Sequence, residues 1–356
     1  MEHIRLVLAS EFQKAGHYVE FVLLQKHGEL LDEATKYFDV VSLNCSRLRH
    51  APKALTQYLL TNHPDVLLVA MWPLTGIANL AILLSGRTTR LIVSEHNDFR
   101  KMPSISRFER WVLNYFGRWI YLQSTAIIAV SQGVSKSLQE VVGLSDEQIV
   151  VINNPLRPLP SPSSKDSYDL TLSDWQKGEL RLIAIGSLKP QKDFETLLKM
   201  VASLRIDYDV RLVILGEGDL RGDLERLATE LGLKNRVYLP GFRSDLLTWF
   251  RYANVYVLSS RWEGFGNVLV EALSAGVPIV STNCPSGPAE ILDYGKYGKL
   301  VEVGDINSMK KAVEEVYLDP PEPHVLKTRA KNFLPSLAAQ KYLDIFKQER
   351  TSQWKK

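Results

Sequence analysis

The stretch Ser259-Ser-Arg-Trp-Glu-Gly-Phe-Gly-Asn-Val-Leu-Val-Glu-Ala-Leu-Ser-Ala-Gly-Val-Pro278 decides how this chain is read. It follows a short apolar run, Val255–Leu258, with the composition of a buried strand. Ser259 to Glu263 end that strand, and Gly264 and Gly266 permit a tight turn. Val268, Leu269, Ala272 and Leu273 then recur at the spacing of a helix with one apolar side. Parallel α/β sheets are built from strand, turn and helix in this order, and their ligands lie beyond the carboxyl ends of the strands. Exposed amides at Gly264 and Gly266 form a phosphate cradle at the helix start. Glu263 precedes the helix and Glu271 lies within it, so the first is placed to face a sugar and the second another part of the same ligand, such as ribose hydroxyls. Taken singly, Glu-Gly-Phe-Gly is a glycine turn and Glu271 a solvated helix residue; the combination carries the information.

Working outward, β-branched runs alternate with helical patterns along the whole chain. The runs are Val19–Leu24, Val40–Leu43, Val66–Ala70, Leu91–Ser94, Ala126–Val130 and Ile149–Ile152, then Leu182–Ile185, Val210–Leu215, Val237–Leu239, Val255–Leu258 and Pro278–Ser281. Several are apolar throughout, as in parallel strands covered on both faces. The predicted fold class is therefore α/β, doubly wound. At 356 residues the chain exceeds what one core usually serves, so two domains are expected. Pro155-Leu-Arg-Pro-Leu-Pro-Ser-Pro-Ser-Ser164 cannot continue a helix and reads as an interdomain linker. The expected division is a first domain over 1–155, a linker over 156–178, a second domain over 179–324, and a helical segment over 325–356 that packs back toward the first domain, its end Gln353-Trp-Lys-Lys356 frayed.

Hydrophobic residues make up 45% and charged residues 23%, the composition of a soluble globular protein. A net charge of +3 gives no footing for nucleic acid, yet would not repel a phosphate ligand or an anionic membrane. Cys45 and Cys284 form neither a disulfide framework nor a metal cluster, which implies a reducing cytosol and unreactive thiols. Residues 1–20 lack a signal-peptide pattern, and no segment reaches the roughly 18 uninterrupted apolar residues of a membrane span. Any membrane contact is then peripheral, on the inner face. Arg100 to Gln123 interleaves Arg107, Arg110 and Arg118 with Phe108, Trp111, Tyr115, Trp119 and Tyr121. Such a helix suits an anionic bilayer, and equally a core helix with snorkelling arginines.

The Glu-x(7)-Glu pair formed by Glu263 and Glu271 around Gly-Phe-Gly resembles the mark of the retaining GT-B glycosyltransferases of glycosyltransferase family 4, and the resemblance extends over nearly the whole chain. It implies two Rossmann-like domains facing a cleft, with the donor mainly in the second and the acceptor mainly in the first. Ile185-Gly-Ser-Leu-Lys-Pro-Gln-Lys-Asp-Phe-Glu-Thr-Leu197 is similar to the family's loop for the donor diphosphate. Lys192 matches the family's Lys and Gly186 the glycine before it, whereas Ser187 stands where the family has an Arg. Lys189 or Arg261 is the substitute cation to look for. A departing nucleoside diphosphate gathers negative charge, and without a metal only fixed cations and helix starts can meet it. Leu215-Gly-Glu-Gly-Asp-Leu-Arg221 resembles the family's Gly-x-Gly turn, a weak signal by itself, and Val237-Tyr-Leu-Pro-Gly-Phe242 the segment beside the base. His96, in Ile92-Val-Ser-Glu-His-Asn-Asp98, occupies the position of a family His near the transferred sugar.

The chain departs from the family at its start. Met1 to His17 already reads as the first helix and its exit, while family members place a strand and a glycine-rich turn before it. The expectation is either an upstream piece or a damaged first domain, whose two neighbouring strands would lose their backbone partners. The Asp207-Tyr-Asp209 pair is expected to be a solvated surface feature rather than a metal site.

What the resemblance implies is retaining transfer of a hexose or N-acetylhexosamine from a nucleotide-diphosphate sugar to a saccharide or lipid-linked saccharide in surface glycan synthesis. A uridine donor is indicated by the likeness around Cys284-Pro-Ser-Gly-Pro288. Glu263 and His96 are the catalytic candidates; Lys192, Ser187, Gly186, Gly264, Phe265, Gly266, Asn267 and Glu271 are the donor-binding ones. No cofactor and no metal are expected. A sugar-nucleotide epimerase of the same fold and an inactive nucleotide-binding partner of a glycan-assembly complex are the alternatives.

Overall fold

The structure is a computed structural model that describes residues 2–28, 30–101, 106–159 and 170–347. Half of the proline-rich stretch read as linker, residues 160–164, and the predicted frayed end Gln353–Lys356 lie outside the described residues. The chain forms two compact units, Met1–Pro155 with Leu334–Lys356, and Leu156–Phe333.

In the first unit, strands β1 (Glu20–Leu23) and β2 (Asp39–Ser42) pair in parallel. Strands β3 (Val66–Ala70), β4 (Arg90–Glu95), β5 (Ala126–Ala129) and β6 (Val150–Val151) form a separate parallel sheet in that order. Helix α1 (Glu2–Lys14) precedes β1, and the strands of this unit stand in two separate sheets, with β1 and β3 not bonded to each other. Helices α2 (Leu31–Tyr37), α3 (Ala51–Asn62), α4 (Leu74–Ser85), α5 (Arg107–Leu122) and α6 (Gln132–Val142) complete the crossovers. Because β3, β4, β5 and β6 follow one another in space, right-handed crossovers place α4, α5 and α6 on one face. On the other, Ile4, Leu8 and Phe12 of α1 share a core with Ile92, Ile128 and Ile152. Ala338, Ala339 and Tyr342 of the C-terminal helix Pro335–Lys347 join that core. Ser106 and Glu109 close a reciprocal capping box that starts α5.

The second unit holds a six-stranded parallel sheet: β7 (Leu180–Ile185), β8 (Val210–Leu215), β9 (Val237–Gly241), β10 (Val255–Leu258), β11 (Ile279–Thr282) and β12 (Lys299–Val301). Its order is β12-β11-β10-β7-β8-β9, so the chain winds outward in opposite directions from the neighbours β7 and β10. That reversal opens a crevice beyond their carboxyl ends, the place where such sheets hold ligands. Its helices in chain order are α7 (Leu170–Trp175), α8 (Phe194–Leu204), α9 (Arg221–Glu230), α10 (Leu246–Phe250), α11 (Asn267–Ala275), α12 (Pro288–Ile291), α13 (Ile306–Leu318) and α14 (Pro323–Ala330). Leu182, Leu212, Val257 and Val280 form the buried centre with Leu197 and Val201 of α8 and Met309 and Val313 of α13. Every predicted strand is present. Only β12 escaped the sequence reading: its three residues include an exposed lysine and make no apolar run.

Candidate functional site

The carboxyl end of β7 runs into Gly186 and Ser187, then a short turn Pro190–Lys192 that leads into α8. A side chain on Gly186 would put its Cβ 2.8 Å from Lys192 Cε, so glycine is what lets the lysine stem lie across this loop. The neighbouring Gly216 and Gly218 have positive φ, and a Cβ at either would strike the carbonyl oxygen of Gly186 or Leu188. These glycines thus serve the packing of one loop backbone on another, tied by Leu188 N donating to Glu217 O at 2.9 Å. Ser187 is exposed at the tip of the first loop.

Beside it, β10 ends at Ser259 and Ser260. The Lys192 ammonium donates to Glu263 Oε1 at 2.6 Å, and Ser260 Oγ donates to the same oxygen at 2.6 Å. Ser259 Oγ fixes the Lys192 carbonyl at 2.7 Å, and the Arg261 amide donates to Gln191 O at 2.8 Å. The β7 and β10 loops are therefore stitched together by side chain and backbone alike. The candidate substitute cations differ: Arg261 is held by Asp193 at 3.0 Å, whereas Lys189 is exposed.

Gly264 and Gly266 follow, with Gly266 at φ 99° beginning α11 at Asn267. Phe265 is buried with its ring 5.8 Å from that of Phe333, so only its backbone is offered to a ligand. Glu271, one turn into α11, is buried; its Oε1 lies 3.0 Å from Arg157 Nε, and its Oε2 is a buried atom without a hydrogen-bond partner among the described residues. Burial pushes its carboxyl above the usual range, and the Arg157 charge pulls it back in part. The loop Cys284–Gly287 closes the back: Glu263 N donates to Pro285 O at 3.1 Å, and Gly287 presses on the Phe265 carbonyl. Cys284 is buried and its thiol is pushed up to about 12, mainly by burial, which leaves it protonated and inert. The structure thus brings Gly186, Lys192, Glu263, Gly264, Gly266, Asn267 and Glu271 to the switch-point crevice of one unit.

His96 belongs to the first unit, just past β4. It is buried, and its Nε2 accepts from Arg5 Nη2 at 3.1 Å, with Ser94 Oγ also at 3.1 Å. An arginine can only donate, so Nε2 carries no proton and the neutral ring keeps its proton on Nδ1. Burial first, and then the Arg5 charge, hold its pKa well below the ordinary value. This histidine can present a hydrogen-bond donor but is a poor acid. Next to it Glu95 is buried and accepts from Tyr121 Oη at 2.6 Å, Thr75 Oγ1 at 3.0 Å and the Trp72 amide at 3.3 Å. Burial outweighs these donors and pushes its carboxyl up to about 7.

Sequence reasoning missed Arg157, Ser260, Arg5 and Glu95. Arg157 sits in the stretch read as linker, 114 positions before its partner, with no local signal. Ser260 and Glu95 stood inside quoted motifs, and a polar residue at the carboxyl end of an apolar strand was the available clue. The Asp-x-Asp pair is occupied by surface ion pairs, Asp207 with Lys310 at 2.7 Å and Asp209 with Arg236 at 2.6 Å. A cavity of about 400 Å³ lined by Asp209, Arg211 and Arg236 opens beside it, at the amino edge of the sheet and away from the crevice.

A doubly wound pair of units, one with a charged switch-point loop of this kind, is the plan of the GT-B glycosyltransferases, and comparison with known proteins places the chain among them. Residues 173–333 match the family model described as glycosyl transferases group 1, and residues 5–158 match that of glycosyltransferase family 4. A Campylobacter jejuni N-acetylgalactosamine-N,N'-diacetylbacillosaminyl-diphospho-undecaprenol 4-alpha-N-acetylgalactosaminyltransferase is 30% identical over 252 residues, 70% of this chain and 67% of that protein. The Rhizobium meliloti lipopolysaccharide core biosynthesis glycosyltransferase LpsE is 35% identical over 39% of each chain. The chain therefore spans about two thirds of the first relative's length and two fifths of the second's. Among solved structures, Anabaena HepE in complex with UDP-glucose superposes with a TM-score of 0.80 at 18% identity, covering 96% of this chain and 94% of that one. The chain belongs to glycosyltransferase family 4, the group 1 glycosyl transferases, whose relatives here serve glycan and lipopolysaccharide biosynthesis.

Proposed function

We propose that this protein transfers a hexose or N-acetylhexosamine, with retention, from a uridine diphosphate sugar to a saccharide or lipid-linked saccharide of a surface glycan, working at the inner face of a membrane. The observation that carries the reading is the triad of Lys192, Glu263 and Glu271 around the start of α11 in the switch-point crevice. Lys192 and the positive start of helix α11 meet the donor diphosphate. Glu263 keeps Oε2 for a hydroxyl of the transferred sugar, and the unpartnered Oε2 of Glu271 accepts from the ribose. His96, in the first unit, keeps its Nδ1 proton as a donor for a sugar hydroxyl.

In the step itself the bond from the anomeric carbon to the phosphate oxygen breaks, and its electron pair leaves with the diphosphate. The acceptor oxygen bonds to the same face of the oxocarbenium-like centre, and its proton passes to the departing phosphate oxygen. No protein nucleophile takes part; this chain's residues orient the donor and stabilise the developing charge. Support for the donor comes from HepE, solved with UDP-glucose. Support for a lipid-linked acceptor and for retention comes from the Campylobacter relative, whose name gives a diphospho-undecaprenol acceptor and the α linkage that retention from an α-glycosyl diphosphate yields.

Incubation with a panel of nucleotide sugars, with and without bacterial lipid extract, tests this. Release of nucleotide that depends on the acceptor is the expected result. Isomerised donor without acceptor would make the protein an epimerase, and binding without turnover an inactive partner.

A further inference from the structure

Helix α5 has two apolar faces, and only one is used within the unit. Leu113, Gly117 and Tyr121 are buried, with Gly117 close enough to α6 that a Cβ would lie 3.3 Å from Val142. On the opposite side Phe108, Trp111, Tyr115, Phe116 and Trp119 remain 48–73% exposed. Phe108, Trp111, Tyr115 and Trp119 recur every three or four residues, so they line one stripe about 16 Å long. Trp111 is the centre of the stripe, its ring 5.6 Å from those of both Tyr115 and Phe116. Helix α4, packed beside α5 on the same face of the sheet, exposes Leu80, Leu83 and Leu84. Apolar surface on this scale marks a docking face rather than scattered exposure.

The charge around it selects the partner. Helices α3, α4 and α5 carry Lys53, Arg107, Arg110 and Arg118 against a single acid, Glu109, which is engaged in the capping box. These three helices thus carry a net +3. Tryptophan, tyrosine and arginine on one amphipathic helix match a headgroup boundary, where rings enter the acyl edge and guanidinium groups meet lipid phosphates. We infer that the α4–α5 face docks this protein on an anionic phospholipid bilayer. The inference rests on the proposed membrane-side acceptor and names the surface that reaches it.

The test is flotation of the full-length chain with vesicles of phosphatidylcholine alone or mixed in equal parts with phosphatidylglycerol, alongside tryptophan quenching by bromo-lipids. The wild type is expected to float only with the anionic vesicles. A combined Trp111→Ser, Tyr115→Ser and Trp119→Ser variant, and separately Lys53→Glu with Arg107→Glu, should each lose about tenfold or more in partition coefficient. Ile206→Ser, equally exposed on the second unit, should change nothing. Circular dichroism checks folding, and the charge variant keeps the test alive if the aromatic one unfolds. Variants that float like wild type would overturn the α4–α5 assignment while leaving membrane contact intact. A wild type that ignores anionic vesicles but dimerises through this face would overturn it in favour of a second copy. Transfer to a water-soluble acceptor is read in parallel: if it is absent while flotation depends on α5, the proposed activity fails and the docking face stands.

Discussion

Lys192 Nζ and Glu263 Oε1 lie 2.6 Å apart, and Ser260 Oγ shares the same carboxylate oxygen. The cation that would meet the diphosphate and the carboxylate that would meet the sugar are thus one unit, each setting the position of the other. Lys192→Ala removes the cation proposed for the diphosphate and also leaves Glu263, 6% exposed, without a counter-charge. We expect kcat/KM for the donor to fall by about a hundredfold or more, the scale for losing one group that stabilises a developing oxyanion. Pairing Lys192→Met with Glu263→Gln should cost less than the two single losses summed, because the groups are coupled. Steady-state kinetics with the best donor decide it; additive losses would show that the two act separately.

Glu271 is the next case, because the proposed role requires its ionised form to accept ribose hydroxyls. Its carboxyl is raised by burial, so protonation competes with donor binding at a higher pH than for an ordinary glutamate. Donor affinity should therefore weaken on acidification earlier than a free carboxylate would predict, and Glu271→Gln should abolish that limb. The substitution should weaken donor binding by about tenfold to a hundredfold, the worth of hydrogen bonds to a charged acceptor. Arg157→Ala, which takes away the opposing charge, should move the limb to still higher pH. Calorimetric titration with UDP across the acid range tests both, and an unshifted limb in Arg157→Ala would argue against the ion pair's role.

The two glutamates were legible because motif and fold coincide at them: an apolar strand, two glycines and an apolar helix stripe leave few other arrangements. What escaped was long-range. Arg157 reaches Glu271 from a proline-rich stretch, and Arg5 reaches His96 from helix α1, and no periodicity records either meeting. Gly216 and Gly218, a weak signal in the sequence, have a packing role in the structure. A Gly-x-Gly turn reads as a phosphate loop, whereas here the absent side chains make room for the carbonyls of Gly186 and Leu188.

His96 should act without a proton change. With Nε2 accepting from Arg5 and a pKa held well below the ordinary value, the ring stays neutral across the working range. His96→Asn, which keeps a short donor, should retain more activity than His96→Ala, and neither should remove a limb from the pH profile of kcat. Loss of a limb near the normal histidine pKa in either variant would restore an acid–base role.

Glu95 makes a prediction about stability. Its folded pKa of about 7 lies above the ordinary 4.5, so the folded first unit holds a proton that the unfolded chain releases in between. Stability should then rise as pH falls from about 7 toward about 4.5 and be lost as pH rises through 7, with a slope of at most about 1.4 kcal/mol per pH unit from this group. Glu95→Gln should flatten that window. Amide exchange of β4 and β5, measured across it, reports on this unit alone; an unchanged slope in the variant would remove Glu95 as the cause.

Gly287 offers the sharpest test of the second unit's crevice. Its φ of 112° suits glycine, and a Cβ built there would lie 1.7 Å from the carbonyl oxygen of Phe265. No rotamer relieves a clash between Cβ and backbone, so Gly287→Ala must push the Phe265 segment away. That segment joins Glu263 to the start of α11, and the same back loop anchors it through Pro285. A displacement of about 1 Å at such a site can cost on the order of a hundredfold in turnover. We expect that loss in kcat/KM together with lower thermal stability. Gly222→Ala is the matching control, because it lies in α9 with nothing within 4 Å of its Cβ and should gain about 0.5–1 kcal/mol from helix propensity. If Gly287→Ala turned over donor as the wild type does, the back loop would not be what holds the glutamate segment in place.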